Sequence, residues 1–324
     1  ATLMLLQSLL LLTGAMMLIL FLSCGWAIVG YALRPLSELV RTSRSIAAML
    51  AHGTCMGDLS QRVARPVGND EMAQVVDAFN EMLTSIESST TVQRRFIADA
   101  SHELRAPLTT IQGNLAFLLR YSEDIPPSEQ HTMLVDAHGE TLRLVSLVEE
   151  LLLLARADTD MGQVVVPASP TPIVELDRIL LKLVRQIRRR LEIEEASPRV
   201  EIGVIEPVRV RGDEENMRRI MVILLDNAIK YTRTEKGKGT ITVALQRVNG
   251  QVVLRVSDTG IGIEAKDLPH IFERFYRADL ARSREGTGLG LAIAQTLVEQ
   301  LHGSITATST PGKGSSFRVS LPLV

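Results

Sequence analysis

The sequence predicts a multidomain chain: a transmembrane helix, a helical region closing in an antiparallel hairpin, and an α+β two-layer sandwich. Three observations predict it. Residues 1–33 carry no charged side chain. Apolar residues at helical spacing then occupy two long segments, roughly 89–121 and 128–157, joined by the short turn SEDIPP. From 173 onward, helix and strand patterns alternate. The 324 residues carry a net charge of −2 and a pI near 6.4, which leaves no basic footprint for nucleic acid. Cys24 and Cys55 fit no metal spacing and no disulfide framework.

The apolar run is roughly 48 Å long as helix at ~1.5 Å per residue, more than the ~20 residues that a bilayer core needs. A cleaved signal peptide is the rival reading, although its apolar part is shorter and follows a basic start. Here Arg34, Arg41 and Arg44 follow the run, which orients the C-terminal side toward the cytoplasm. The chain begins with Ala inside that run, so an N-terminal sensor region is expected to precede it. Residues 34–88 read as two short helices. Apolar positions Leu36, Leu39, Val40, Ile46 and Leu50 mark the first. Met72, Val75, Val76, Phe79, Met82, Leu83 and Ile86 mark the second, and a turn-rich connector joins them. This arrangement, with Pro35 and Asn69–Asp70–Glu71, resembles a HAMP signal relay; a plain helical linker fits the same residues.

The segment 89–157 contains FIADASHELRAPLTTI at 96–111. At 100° per residue, Leu104, Leu108, Ile111, Leu115 and Leu118 form a stripe centred about 190° from His102, so the imidazole is expected to face solvent. An exposed imidazole is a nucleophile if one nitrogen is free and the other is held, and Glu103 is placed to take the proton. Pro107 removes the N–H that the Glu103 carbonyl would accept, which predicts a bent or loosened turn beside the histidine. A hairpin buries one seam per helix, so two copies pairing into a four-helix bundle are expected.

Residues 158–172, with three prolines, read as a linker, and 173–324 as one domain. Strands are expected at RVEIGVI, TITVALQRV, QVVLRVSD, SITATST and SFRVSLPL, with a hairpin turn at 248–251 and helices at 175–190, 214–231 and 289–302. On the second helix Asn227 is an amide suited to a magnesium ion that keeps most of its waters, and Lys230 is a point charge for phosphate. Asp258 ends a strand where it can accept the amino proton of adenine, and Gly260 and Gly262 let backbone approach a flat ligand. GTGLGLAIA at 286–294 opens a helix and makes an anion site without being a Walker loop. Between these loops Phe272 and Phe275 anchor a polar segment carrying Arg274, Arg277, Arg282 and Arg284, a composition suited to a mobile lid.

With all five stretches in view, the chain from about 34 resembles a membrane sensor histidine kinase of two-component signalling. SHELRAPL resembles the phosphoacceptor box, DNAIKY the N box, DTGIGI the first glycine box, FERFYR the F box and GTGLGL the second glycine box. The resemblance implies that His102 takes the γ-phosphoryl group of ATP with help from Glu103. It implies that Asn227 holds Mg2+, that Lys230 and Tyr231 line the ATP site, and that Asp258, Gly260 and Gly262 shape the adenine pocket. Phe272, Arg274, Phe275, Gly286, Thr287, Gly288, Leu289 and Gly290 form the lid region. The implied assembly is a homodimer at the inner membrane, in contact with membrane lipid, with its catalytic part cytoplasmic. It passes phosphate to an aspartate of a response regulator on another chain.

Two positions depart from the family pattern. Ile223 stands where the N box usually has a further Asn and related hydrolases have Glu, which disfavours hydrolysis as the main reaction. Ala106 stands where Thr or Asn is frequent, and an alanine methyl cannot position water, so dephosphorylation of the regulator is expected to be weak.

Overall fold

Glu71–Tyr121 folds as one 51-residue helix, α1. Where the sequence suggests a break near 88, the structure has none: Thr90 and Thr91 donate to the carbonyls of Ile86 and Glu87 one turn back. Neither Gly nor Pro interrupts the stretch. Helix α1 also runs unbroken through Pro107. The computed structural model describes residues 12–26, 40–44, 62–65, 71–121, 124–160, 172–193, 198–232, 239–278 and 286–323. The expected span at 1–33, the first short helix, the 158–172 linker and Arg282 and Arg284 lie wholly or partly outside these. Residues 12–26 are helical with exposed apolar side chains. Among the described residues no helix is long and apolar enough to cross a membrane.

The chain forms two compact units, 1–95 and 96–324. In the first, residues 62–65 lie along α1. Val63 is buried with Val76 and Phe79. The Asn80 amide accepts the Val63 N–H at 3.0 Å and donates to the Val63 carbonyl at 2.9 Å, as a neighbouring strand would. Arg62 pairs with Glu87 and Arg65 with Asp77.

In the second unit α1 pairs with helix α2, Pro127–Asp160. The Asn114 amide donates to the Met133 carbonyl at 3.3 Å and sets their register. The apolar stripe of α1 divides in two. Leu104, Pro107, Ile111 and Leu118 turn inward, while Leu108 and Leu115 stay 48% and 42% exposed. Pro107 is therefore buried on the inward face of α1.

Beyond the hairpin come β1 (Ile173–Glu175), α3 (Leu176–Leu191), β2 (Arg199–Ile205), β3 (Arg209–Arg211), α4 (Glu214–Thr232), β4 (Thr240–Val248), β5 (Gln251–Asp258), α5 (Gly290–Gln300), β6 (Ser304–Thr310) and β7 (Gly314–Pro322). Five strands form one sheet in the order β2-β4-β5-β7-β6, with β2 parallel to β4 and the rest antiparallel. Strands β1 and β3, which the sequence reading left out, make a separate antiparallel pair. The β4–β5 turn places Asn249 at φ 50° and Gly250 at φ 77°, the two left-handed residues of a type I′ hairpin.

One face of the sheet carries Ile241, Val243, Leu245, Leu254, Val256, Phe317 and Val319 into the core. Against them α3 brings Leu180, Leu183 and Val184, α4 brings Met221, Leu224 and Leu225, and α5 brings Ile293 and Leu297. Leu147 and Leu154 of α2 belong to the same apolar cluster. The hairpin and the α+β layer thus share one core, and the site lies along the end of β5, the end of α4 and the start of α5.

Candidate nucleotide and phosphoacceptor site

Strand β5 runs apolar and buried through Val256 and ends on Asp258, which is 8% exposed. One carboxylate oxygen, Oδ1, accepts the N–H of Gly260 at 2.8 Å and that of Ser315 at 3.3 Å. Burial pushes the Asp258 carboxyl up from its ordinary value, and the two backbone N–H groups oppose that rise. Gly260 is pressed against α4, and the N–H of Ile261 donates to the Tyr231 carbonyl at 3.2 Å. Gly262 sits at φ 72° against the Thr310 carbonyl, where a Cβ would come within 2.2 Å. The pocket wall is closed by the start of β7. Ser309 Oγ receives the Ile263 N–H and reaches the Gly314 carbonyl, both at 2.8 Å. Gly314 and Ser315 escaped sequence reasoning, because their only signal is a glycine 56 positions along the chain from Asp258.

The last turns of α4 present Asn227, Lys230 and Tyr231, all half-buried. The Lys230 ammonium lies 4.9 Å from the Tyr231 ring centroid and beside Gly286, whose Cβ, if present, would be 2.6 Å from Nζ. The N-box lysine and the second glycine loop, 56 positions apart, are therefore brought together. Ile223 has a packing role here: its Cγ2 is 3.4 Å from the Cβ position at Gly290. Helix α5 starts in this loop. Thr287 Oγ1 accepts the Leu289 N–H at 3.3 Å, and Leu289 is fully buried. The N-terminal N–H groups of α5 face the same loop and favour an anion there.

The segment after Gly262 is held by its own contacts. Tyr276 Oη donates to buried Asp267 at 2.7 Å. Phe275 adopts φ 62° and donates its N–H to the Gly288 carbonyl at 3.1 Å. Gly288, at φ 74°, has no room for a side chain: a Cβ would lie 2.8–3.0 Å from Phe275 and Tyr276 backbone atoms. Gly288→Ala therefore meets both an unfavourable backbone conformation, about 1–3 kcal/mol, and a backbone collision. Nucleotide affinity is expected to fall about tenfold or more, with a smaller loss in melting temperature; calorimetric titration beside a thermal melt checks this.

On the hairpin, His102 is exposed and Glu103 half-buried. Phe272 is half-buried, packed against the core of the α+β layer. Phe275 stacks obliquely on Phe96, with ring centroids 5.8 Å apart, and the Arg274 guanidinium lies 5.2 Å over the same ring. Thr287 Oγ1 donates to Glu150 Oε2 of α2 at 2.9 Å. The structure thus brings Asp258, Gly260, Gly262, Lys230, Tyr231 and the 286–290 loop together where the ends of β5 and α4 meet the start of α5, with Asn227 one turn back on α4, and rests the loop and Phe275 on the hairpin that displays His102. Among the described residues no cluster of three His, Cys, Asp or Glu is arranged to hold a metal ion.

A buried carboxylate, a lysine at a glycine loop and a helix start lie together in an α+β domain carried on a histidine-bearing hairpin. The comparisons agree part by part. Residues 212–324 match the "Histidine kinase-, DNA gyrase B-, and HSP90-like ATPase" family, 92–160 the "His Kinase A (phospho-acceptor) domain" and 27–88 the HAMP domain. The sensor histidine kinase YkoH of Bacillus subtilis is 33% identical over 76% of this chain and 52% of its own length. The sensor protein CutS of Streptomyces coelicolor is 34% identical over 92% of this chain and 67% of its own. The structure of full-length ShkA in complex with AMPPNP superposes with a TM-score of 0.50 at 25% identity, covering 71% of this chain and 46% of ShkA. The chain belongs to the sensor histidine kinases of two-component systems, and it spans about half the length of several curated relatives that it matches.

Proposed function

We propose that this chain transfers the γ-phosphoryl group of ATP to His102 and then passes it to an aspartate of a response regulator on another chain. The observation that carries the reading is the exposed His102 on the same hairpin against which the nucleotide cleft is docked. In the first step an imidazole nitrogen forms the N–P bond as the bond from Pγ to the departing ADP oxygen breaks. The other ring N–H gives its proton to the Glu103 carboxylate, which leaves the phosphohistidine ring neutral.

Asp258 takes the adenine amino group, with Gly260 and Gly262 admitting the ring. Lys230 and the Gly286, Thr287, Gly288, Leu289 and Gly290 loop hold the phosphates, while Tyr231, Phe272, Arg274 and Phe275 frame the cleft. The amide of Asn227, with no cluster of three acidic or metal-binding side chains beside it among the described residues, fits a Mg2+ ion held mainly by water and by the nucleotide. Such an ion supplies charge neutralisation on the transferred group.

The exposed flank of the hairpin, with Leu108, Leu115, Leu142 and Val145 at 42–56% exposure, supports a homodimer through a four-helix bundle. The uncharged run 1–33 and the HAMP match support anchoring in the inner membrane, in contact with lipid, with the catalytic part cytoplasmic. The domain limits that fit this reading are 1–33, 34–88, 89–157, 158–172 and 173–324.

The test is incubation of the chain with Mg2+ and γ-labelled ATP. Protein-bound label lost in acid and stable in base identifies a phosphoramidate. Label stable in acid, or none at all, contradicts the proposal.

A further inference from the structure

We infer that Glu150 is a positioning residue that ties the phosphate loop to the hairpin in competition with nucleotide phosphates, so that phosphate binding and release of the ATP domain are coupled. The inference rests on the proposed nucleotide site and goes beyond it. Thr287 lies in the middle of the loop that opens α5, where backbone N–H groups favour an anion. In this structure its hydroxyl donates to the Glu150 carboxylate at 2.9 Å. That bond spans 137 positions of sequence and joins the α+β layer to α2. Glu150 is half-buried, and Arg219 of α4 lies near enough to act on its charge. Beside it the Phe275 ring and the Arg274 guanidinium rest on Phe96.

The level of this contact matters. The Asn114–Met133 hydrogen bond fixes the antiparallel register, which sets Glu150 level with Phe96 and Ile97. That is about five residues, or roughly 8 Å along α1, from His102. The loop is anchored below the histidine, toward residue 71, and not at its level. A carboxylate so close to Thr287 also puts negative charge where the nucleotide phosphates are to lie. The Thr287 hydroxyl then serves either Glu150 or the phosphates. By linkage, nucleotide that binds the released loop better shifts the domain off the hairpin, and the tie lowers phosphate affinity by the same factor.

The experiment measures binding of ADP and of adenosine, separately, to the full chain and to Glu150→Gln. The substitution keeps the shape and removes the charge, and Glu150→Ala removes the acceptor as well. Losing a hydrogen bond to a charged group predicts that ADP binds about 10- to 100-fold more tightly to Glu150→Ala, and by a smaller factor more tightly to Glu150→Gln, whose amide oxygen still accepts from Thr287. Adenosine, which has no phosphate, is expected to bind within about twofold of the parent. Hydrogen exchange across 147–154 is expected to rise in the parent with ADP and not with adenosine. Unchanged ADP affinity, or equal gains for ADP and adenosine, would overturn the coupling while leaving the nucleotide site standing. No binding of either ligand to any form would overturn the nucleotide site and the tie with it.

Discussion

Asp258→Asn is expected to weaken nucleotide binding about 30- to 150-fold while leaving the folded domain as stable at pH 7 as the parent, or more so. Oδ1 of Asp258 already receives the Gly260 and Ser315 N–H groups. An asparagine must keep its oxygen there, which turns its amide nitrogen toward the ligand. The adenine amino group then meets a donor where it needs an acceptor, and leaving such a buried pair unmatched costs about 2–3 kcal/mol.

Stability moves the other way. Burial holds the Asp258 carboxyl above its ordinary value, so the folded state binds the proton more tightly than the unfolded state. The parent is then best off below the unfolded pKa and loses stability as pH rises through the folded pKa. The amide has no charge to desolvate and lacks that loss. Urea melts at acid and neutral pH check this: the variant's stability relative to the parent should rise with pH. A variant markedly less stable at pH 7 would contradict the account of the carboxylate.

What could be read from sequence was local. The β4–β5 hairpin announces itself by alternation around Asn249–Gly250, and the core face of α3 by helical spacing. Strands β1 and β3 are three residues each and exist only by pairing Ile173 with Arg211 and Val174 with Val210, which no local pattern records. The sequence reading divides helix α1 near 88, between the relay-like segment and the hairpin. The helix continues there because nothing in it opposes helix and its threonines bond back to the preceding turn. Pro107 predicted a bent or loosened turn; the helix runs on through it, and its ring is buried.

In the site, each glycine box was visible as a short motif. Ser315, which completes the Asp258 cluster, and Phe96 and Glu150, which receive the loop, come from distant segments and lie in ordinary helical or strand sequence. Ile223 looked like a missing polar group by its type; its position shows a methyl packed on Gly290.

His102→Gln is expected to abolish phosphoryl transfer entirely with little effect on folding. The side chain is exposed on a continuous helix, and a surface substitution of this kind stays within about 0.5 kcal/mol. Lost activity therefore cannot be assigned to unfolding. Glutamine retains polarity and approximate reach but has no nucleophilic ring nitrogen. His131 and His138 serve as internal controls, because both are exposed on α2 of the same hairpin. The decisive measurement is γ-labelled ATP with Mg2+ given to the parent, His102→Gln, His131→Gln and His138→Gln, with ADP binding measured in parallel. The account predicts acid-labile label on the parent and both α2 variants, none on His102→Gln, and equal ADP affinity in all four. Label that persists on His102→Gln, or a parent that binds ADP and takes no label, would contradict it.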